Sequence, residues 1–156
     1  MTKAGVTSFR RVMAIASGGG HWHQLMMMRD AYGDQHVDYV TTLPGLAEQY
    51  DATPVTIVPD CNRNEKLKIV QCTLALLGLL LRKRPEVIIT TGALPGVIAL
   101  AIGKTLGKKT IWVDSVANAE EMSMSGRLAR RFADHWMSQW EHVAAAEGAD
   151  FAGRVL

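Results

Sequence analysis

A glycine-rich turn and the histidine after it carry the clearest chemical signal in this chain. Ser17-Gly18-Gly19-Gly20-His21 follows the apolar run Val12–Ala16 and precedes a stretch of helix formers, Trp22–Tyr32. Glycines between a strand and a helix let backbone N–H groups close on an anion, and the helix N-terminus adds favourable partial charge, so a phosphate is the natural guest. A tight βα turn also needs glycine for its own geometry, so the turn alone leaves both readings open. Two nucleotide signatures can be tested against it. The dinucleotide fingerprint asks for a third glycine where His23 stands, and Asp38 lies within the next strand rather than at its end. Gly103-Lys104-Thr105 imitates the end of a phosphate-binding loop, but Ile98 holds the position of that loop's first glycine. The first is a weak fit and the second, late in a helix, is discarded.

His21 and His23 lie two apart, which on a helix points them in different directions, and no carboxylate stands at a supporting spacing, so a metal site is not indicated. A histidine at the mouth of a glycine turn is better placed as a general base or a hydrogen-bond orienter; a surface histidine capping the turn is the plainer alternative. Asp114 and Ser115 end an apolar run, Thr110–Val113, and would face a cleft at the strand ends. Ser123 or Ser125 is placed to cap a helix over Arg127–Ala133, and Trp136 and Trp140 read as core or interface aromatics.

Short apolar runs alternating with longer helical stretches must position these residues. Strands are expected at Val12–Ala16, Val37–Thr42, Val55–Val58, Val87–Thr91, Thr110–Val113 and His135–Ser138. Helices are expected at Trp22–Tyr32, Asn64–Leu81, Leu94–Leu106 and Arg127–Ala133, with a weakly patterned tail from Ala144. That order predicts an α/β fold, Rossmann-like, with a mostly parallel sheet and helices on both faces. Ligands of such sheets sit beyond the carboxyl ends of the strands, which singles out the turns after Ala16, Thr42, Thr91 and Val113.

At 156 residues the chain has the length of a single domain, 1–156. Lys and Arg exceed Asp and Glu by 17 − 15 = +2, far from the basic density of a nucleic-acid binder, so no nucleic-acid partner is expected. Cys61 and Cys72 match neither a disulfide scaffold nor a zinc spacing and suit a reducing compartment. Met1–Arg11 is polar and lacks the apolar core of a secretory signal. Ile69–Leu81 carries no charge, with Arg63, Lys66 and Lys68 before it and Arg82, Lys83 and Arg84 after it. Its helix of about 20 Å is too short for a hydrocarbon core of about 30 Å. It either dips into a headgroup region, its basic ends on lipid phosphates, or is a buried crossover helix with solvated ends.

Taken in order, Ala16-Ser17-Gly18-Gly19-Gly20-His21, then Thr90-Thr91-Gly92-Ala93-Leu94-Pro95-Gly96, then Asp114-Ser115 with Ser123-Met124-Ser125-Gly126-Arg127-Leu128, Ala133-Asp134-His135 and Gln139-Trp140-Glu141 resemble a known family. It is the acceptor-side, membrane-associating subunit of split GT-B glycosyltransferases, which includes the PssD-type bacterial polysaccharide proteins and the membrane subunit of the eukaryotic dolichol-linked UDP-GlcNAc transferase. The resemblance implies a domain equivalent to the N-terminal half of a MurG-type GT-B enzyme. A partner chain would supply the C-terminal half and bind the nucleotide sugar.

The implied activity is inverting transfer, without metal or cofactor, onto a polyprenyl-pyrophosphate-linked acceptor at the cytoplasmic face of the cytoplasmic membrane, with the chain bound peripherally. His21 takes the catalytic position, with Gly18, Gly19 and Gly20 near the acceptor diphosphate. Thr91, Gly92 and Pro95 fall on a second glycine motif, and Asp114 and Ser115 on the family's Glu-Ser pair, Asp114 being one methylene shorter. Asn118 stands where many members have Arg. A lipid acceptor favours membrane contact through Lys66, Lys68, Leu76, Leu79, Leu80, Arg82, Lys83 and Arg84. The expectation is half an enzyme, inactive without its partner; the alternative is a non-catalytic recruiter that docks a self-sufficient transferase on the membrane.

Overall fold

The computed structural model describes residues 10–155, so most of the polar stretch Met1–Arg11 lies outside it, as does Leu156. Among the described residues six strands form one sheet: β1 (Arg11–Ala16), β2 (His36–Thr41), β3 (Val55–Ile57), β4 (Val87–Thr90), β5 (Lys109–Val113) and β6 (His135–Met137). Every pairing is parallel and the spatial order is β3-β2-β1-β4-β5-β6. Ile15 pairs with Val40 on one side and with Thr90 on the other. The chain therefore leaves β1 outward to β2 and β3, then returns to β4 on the other side, and a crevice opens between the carboxyl ends of β1 and β4 where the order reverses.

Among the described residues there are five α-helices: α1 (Gly20–Met27), α2 (Lys66–Lys83), α3 (Ala93–Thr105), α4 (Met124–Ala129) and α5 (Glu141–Glu147). One face of the sheet, with Met13, Ile15, Ile88, Trp112 and Trp136, packs against Leu76, Leu80, Leu100 and Ala129 of α2, α3 and α4. The other, with Val12, Ala14 and Tyr39, packs against Trp22, Leu25 and Met26 of α1. Strands buried on both faces explain why they read as nearly unbroken apolar runs.

Three helices depart from expectation. The first begins at the glycine turn and ends at Met27, followed by a 3-10 turn over Arg29–Ala31. The Tyr32 hydroxyl donates to the Leu25 carbonyl at 2.6 Å, satisfying a group that a longer helix would have used. The fourth starts earlier, because Ser123 accepts from the Gly126 N–H at 2.8 Å and sets the N-terminus there. The fifth lies where only a weak tail is expected; it is short, buries Val143 and Ala144, and stops at Gly148 with φ 72°.

The long helix α2 corrects the membrane-contact assignment. Leu76, Leu79 and Leu80 are 0%, 4% and 1% exposed and belong to the core, so they cannot touch a bilayer in the folded chain. The opposite face is also apolar: Leu67, Val70, Leu74 and Leu81 are 72%, 52%, 63% and 54% exposed. An uncharged run gives both faces the same appearance in sequence, and only the sheet decides which turns inward. Among the six basic residues around it, Lys83 pairs with Asp38 at 2.8 Å and Lys68 with Glu65 at 2.6 Å. Lys66, Arg82 and Arg84 have no ion-pair partner among the described residues. No helix among the described residues is long and apolar enough to cross a membrane.

Candidate functional site

Two helices begin side by side at the crevice. The cap of α1 is Gly19, with φ 76°, and the cap of α3 is Gly92, with φ 148°; neither offers a side chain to the first N–H groups of its helix. In both helices these groups are left to be satisfied by something else, and both helix dipoles favour an anion there. Ala93 follows with φ 66°, an unusual conformation for alanine of the kind that concentrates at functional sites. Ser17, Gly18, His21 and Ala93 line a cavity of about 410 Å³ here, together with Thr42, Leu43, Asp60 and Cys61.

His21 is held across this crevice. Its Nδ1 lies 3.1 Å from the Thr91 carbonyl, and the Thr91 hydroxyl donates back to the His21 carbonyl at 2.6 Å. A carbonyl can only accept, so the proton of the neutral ring sits on Nδ1 and Nε2 keeps its lone pair. A Cβ at Gly92 would stand 2.3 Å from His21 Nδ1, so the glycine makes room for the ring as well as adopting its own φ. Gly96 does the same one turn on, where a Cβ would meet Thr90 Oγ1 at 2.2 Å. Pro95 is buried in the first turn of α3 and lacks an N–H where no intrahelical partner exists anyway. Thr91, fully buried, and Pro95 therefore shape the site rather than present groups to a ligand.

Asp114 and Ser115 require the larger correction: neither lines the cavity, and both are turned inward. Asp114 is 2% exposed and accepts from Trp112 Nε1 at 3.1 Å, Ser123 Oγ at 2.5 Å, Ser123 N at 2.9 Å and Asn118 Nδ2 at 3.0 Å. Its lone pairs are spent on folding the 115–125 loop onto α4. Asn118 thus donates to this carboxylate without bringing a charge. Ser115 accepts from Gln24 Nε2 at 2.9 Å and from the Ala117 N–H at 3.2 Å.

Gln24 and Gln139 complete a buried network, of which the sequence motifs include Gln139 but not its partner on α1. Gln139 Nε2 donates to Gln24 Oε1 and to the Asp114 carbonyl, each at 2.9 Å, while its Oε1 accepts from the Val155 N–H at 3.1 Å. Asp60, missed as a wall of the cavity, lies just beyond β3, and the rule that points to the carboxyl ends of parallel strands applies to that turn too.

A second, more apolar cavity of about 530 Å³ adjoins the first through Cys61 and Ala93 and is otherwise lined by Asn62, Arg63, Leu94, Met124, Ser125 and Leu128. Both cysteines are free; burial pushes Cys61 up and Cys72 up to about 12, so neither is a ready thiolate. No three His, Cys, Asp or Glu side chains gather as metal ligands among the described residues, and His23 turns away from His21 toward the Tyr50 hydroxyl at 2.9 Å.

The fold is similar to that of Acinetobacter baumannii MurG, with a TM-score of 0.71 at 14% identity over 86% of this chain and 43% of that one. It is equally similar to UDP-GlcNAc 2-epimerases, that of Methanocaldococcus jannaschii in complex with UDP-GlcNAc and UDP (TM-score 0.69, 11% identity, 90% and 44% coverage) and that of Neisseria meningitidis bound to UDP-GlcNAc (0.69, 9%, 90% and 44%). The chain thus spans less than half the length of the structures it matches, and corresponds to one half of the GT-B architecture. No curated protein matches the sequence. A family model does match residues 55–155, from β3 through α5, taking in the second glycine turn, the inward-facing Asp114 and Gln139; by that match the chain belongs to the Alg14-like family of oligosaccharide biosynthesis proteins.

Proposed function

We propose that this chain is the acceptor-binding, membrane-associating domain, 1–156, of a PssD-type heteromeric inverting glycosyltransferase. A partner subunit would bind the nucleotide sugar and complete the cleft, and the acceptor would be a polyprenyl-pyrophosphate-linked saccharide at the cytoplasmic face of the cytoplasmic membrane. The observation that carries this reading is the convergence of two uncapped helix N-termini on His21, at the sheet's reversal point, in a chain that covers 43% of a MurG.

In this reading the N–H groups at the starts of α1 and α3, with Gly18, Gly19 and Gly20, hold the acceptor diphosphate. His21 Nε2 takes the proton from the attacking acceptor hydroxyl, and the Nδ1 hydrogen bond to Thr91 stabilises the imidazolium that forms. Asp60 repels phosphate and accepts from hydroxyls, so it orders the acceptor with its diphosphate toward the helix starts and its sugar toward the carboxylate. The exposed Leu67, Val70, Leu74 and Leu81, flanked by Lys66, Arg82 and Arg84, form the bilayer-facing surface in place of the buried leucines.

The test is reconstitution of the full chain with its partner half and a lipid-linked acceptor. The chain alone is expected to be inactive, and His21→Ala in the pair to lower turnover about 10²–10⁴-fold. Unchanged turnover would leave the exposed stripe on α2 as the working part and favour the non-catalytic recruiter.

A further inference from the structure

We infer that the apolar cavity beside the glycine-turn site binds the first isoprenoid units of the acceptor, so that this chain holds the lipid by its tail as well as by its diphosphate. The inference rests on the reading of the glycine turns as the diphosphate site. The two cavities share Cys61 and Ala93 as a common wall. One is bounded by two helix N-termini and His21; the other is walled by Leu94, Met124 and Leu128 and has the size of a small-molecule site. A ligand lying across that wall must be polar and anionic at one end and apolar at the other. A lipid diphosphate has that form.

Two further features support the assignment. Met124 and Leu128 are 64% and 45% exposed on α4, a short helix whose inward side is already satisfied by Gly126 and Ala129 in the core. They therefore present apolar surface that nothing else in the described chain covers. Arg63 lines the apolar cavity two residues after the shared Cys61; among the described residues its guanidinium meets only the Met124 sulfur, at 3.8 Å, and pairs with no carboxylate. A weakly engaged arginine on the wall of an apolar groove that adjoins a helix-terminus anion site is suited to the diphosphate oxygen nearer the tail. Along the chain Arg63 also leads directly into α2, whose exposed stripe begins at Leu67, so a tail leaving the groove on that side would meet the surface proposed to face the bilayer.

Calorimetric titration of the full chain with inorganic diphosphate, farnesyl diphosphate and farnesol tests the assignment. Farnesyl diphosphate should bind about tenfold or more tightly than inorganic diphosphate, and more tightly than farnesol, because part of its tail leaves water. Replacing Met124→Gln and Leu128→Gln together, both exposed and so tolerable to the fold, should abolish that advantage while leaving inorganic diphosphate binding unchanged. Arg63→Gln should weaken both diphosphates. Equal affinity for the two diphosphates, or a tail advantage that survives the double substitution, overturns the groove but leaves the diphosphate site standing. Failure of either diphosphate to bind overturns the reading of the glycine turns and the groove with it. Farnesol binding as tightly as farnesyl diphosphate, or self-association in sedimentation that the double substitution removes, assigns the groove to an uncharged apolar ligand or to a second copy of the chain and overturns the inference.

Discussion

Gly92→Ala strikes the site through one methyl group and separates two causes that act there. The first is backbone conformation: at φ 148° an L-residue is strained, by about 1–3 kcal/mol. The second is steric: the added Cβ would stand 2.3 Å from His21 Nδ1, so the ring must rotate away and give up its 3.1 Å bond to the Thr91 carbonyl, worth about 0.5–1.5 kcal/mol. Together these amount to about 1.5–4.5 kcal/mol, which for a chain of this size lowers Tm by about 3–18 °C. In a His21→Ala background the ring is gone and only the conformational cost remains. The double-mutant cycle should therefore return a coupling of about 0.5–1.5 kcal/mol between positions 21 and 92. Urea unfolding followed by the fluorescence of the four tryptophans measures all three variants. An equal cost of Gly92→Ala with and without the His21 ring would refute the claim that this glycine exists to seat the histidine.

On α2, Leu76→Ala should destabilise the chain by about 2–5 kcal/mol, whereas Leu67→Ser, Leu74→Ser and Leu81→Ser combined should leave stability nearly unchanged and reduce sedimentation with anionic liposomes. Asp114→Ala should cost about 3 kcal/mol or more, since it strands the Trp112 indole N–H and the Ser123 amide in the interior, and thermal melts will register it. Lys104 and the Thr110 N–H hold the Asp134 carboxyl down to about 2, from an ordinary 3.8. Its contribution to stability is therefore complete above pH 4 and disappears as pH falls toward 2, so the pH profile of unfolding free energy should be flatter there for Asp134→Asn than for the wild type. Parallel profiles would count against that bond network.

What could be read in advance divides along physical lines. Parallel strands covered on both faces announce themselves as apolar runs, and all six strands fall within one or two residues of expectation. The first glycine turn was legible because a strand, three glycines and a helix are contiguous. The reason for Gly92 was not, since it depends on a ring held at Thr91 from seventy residues earlier in the chain. Asp114 turns inward for a related cause. A carboxylate at a strand's end either faces the cleft or folds its own loop, and four donors brought in by Trp112, Asn118 and Ser123 decide the matter only in three dimensions. Leu76, Leu79 and Leu80 turn inward although neither side of an uncharged helix is marked in sequence as the outer one.

The amide of Gln139 joins three parts of the molecule that carry separate duties: Gln24 on α1, the carbonyl of Asp114 at the end of β5, and the N–H of Val155 near the end of the chain. Because one small planar group serves all three, tension applied at residue 155 is delivered to the helix that starts at His21's turn and to the loop that seats α4. Under the proposed function, a partner gripping residues 153–155 would therefore reach α1 and the 115–123 loop through this one amide.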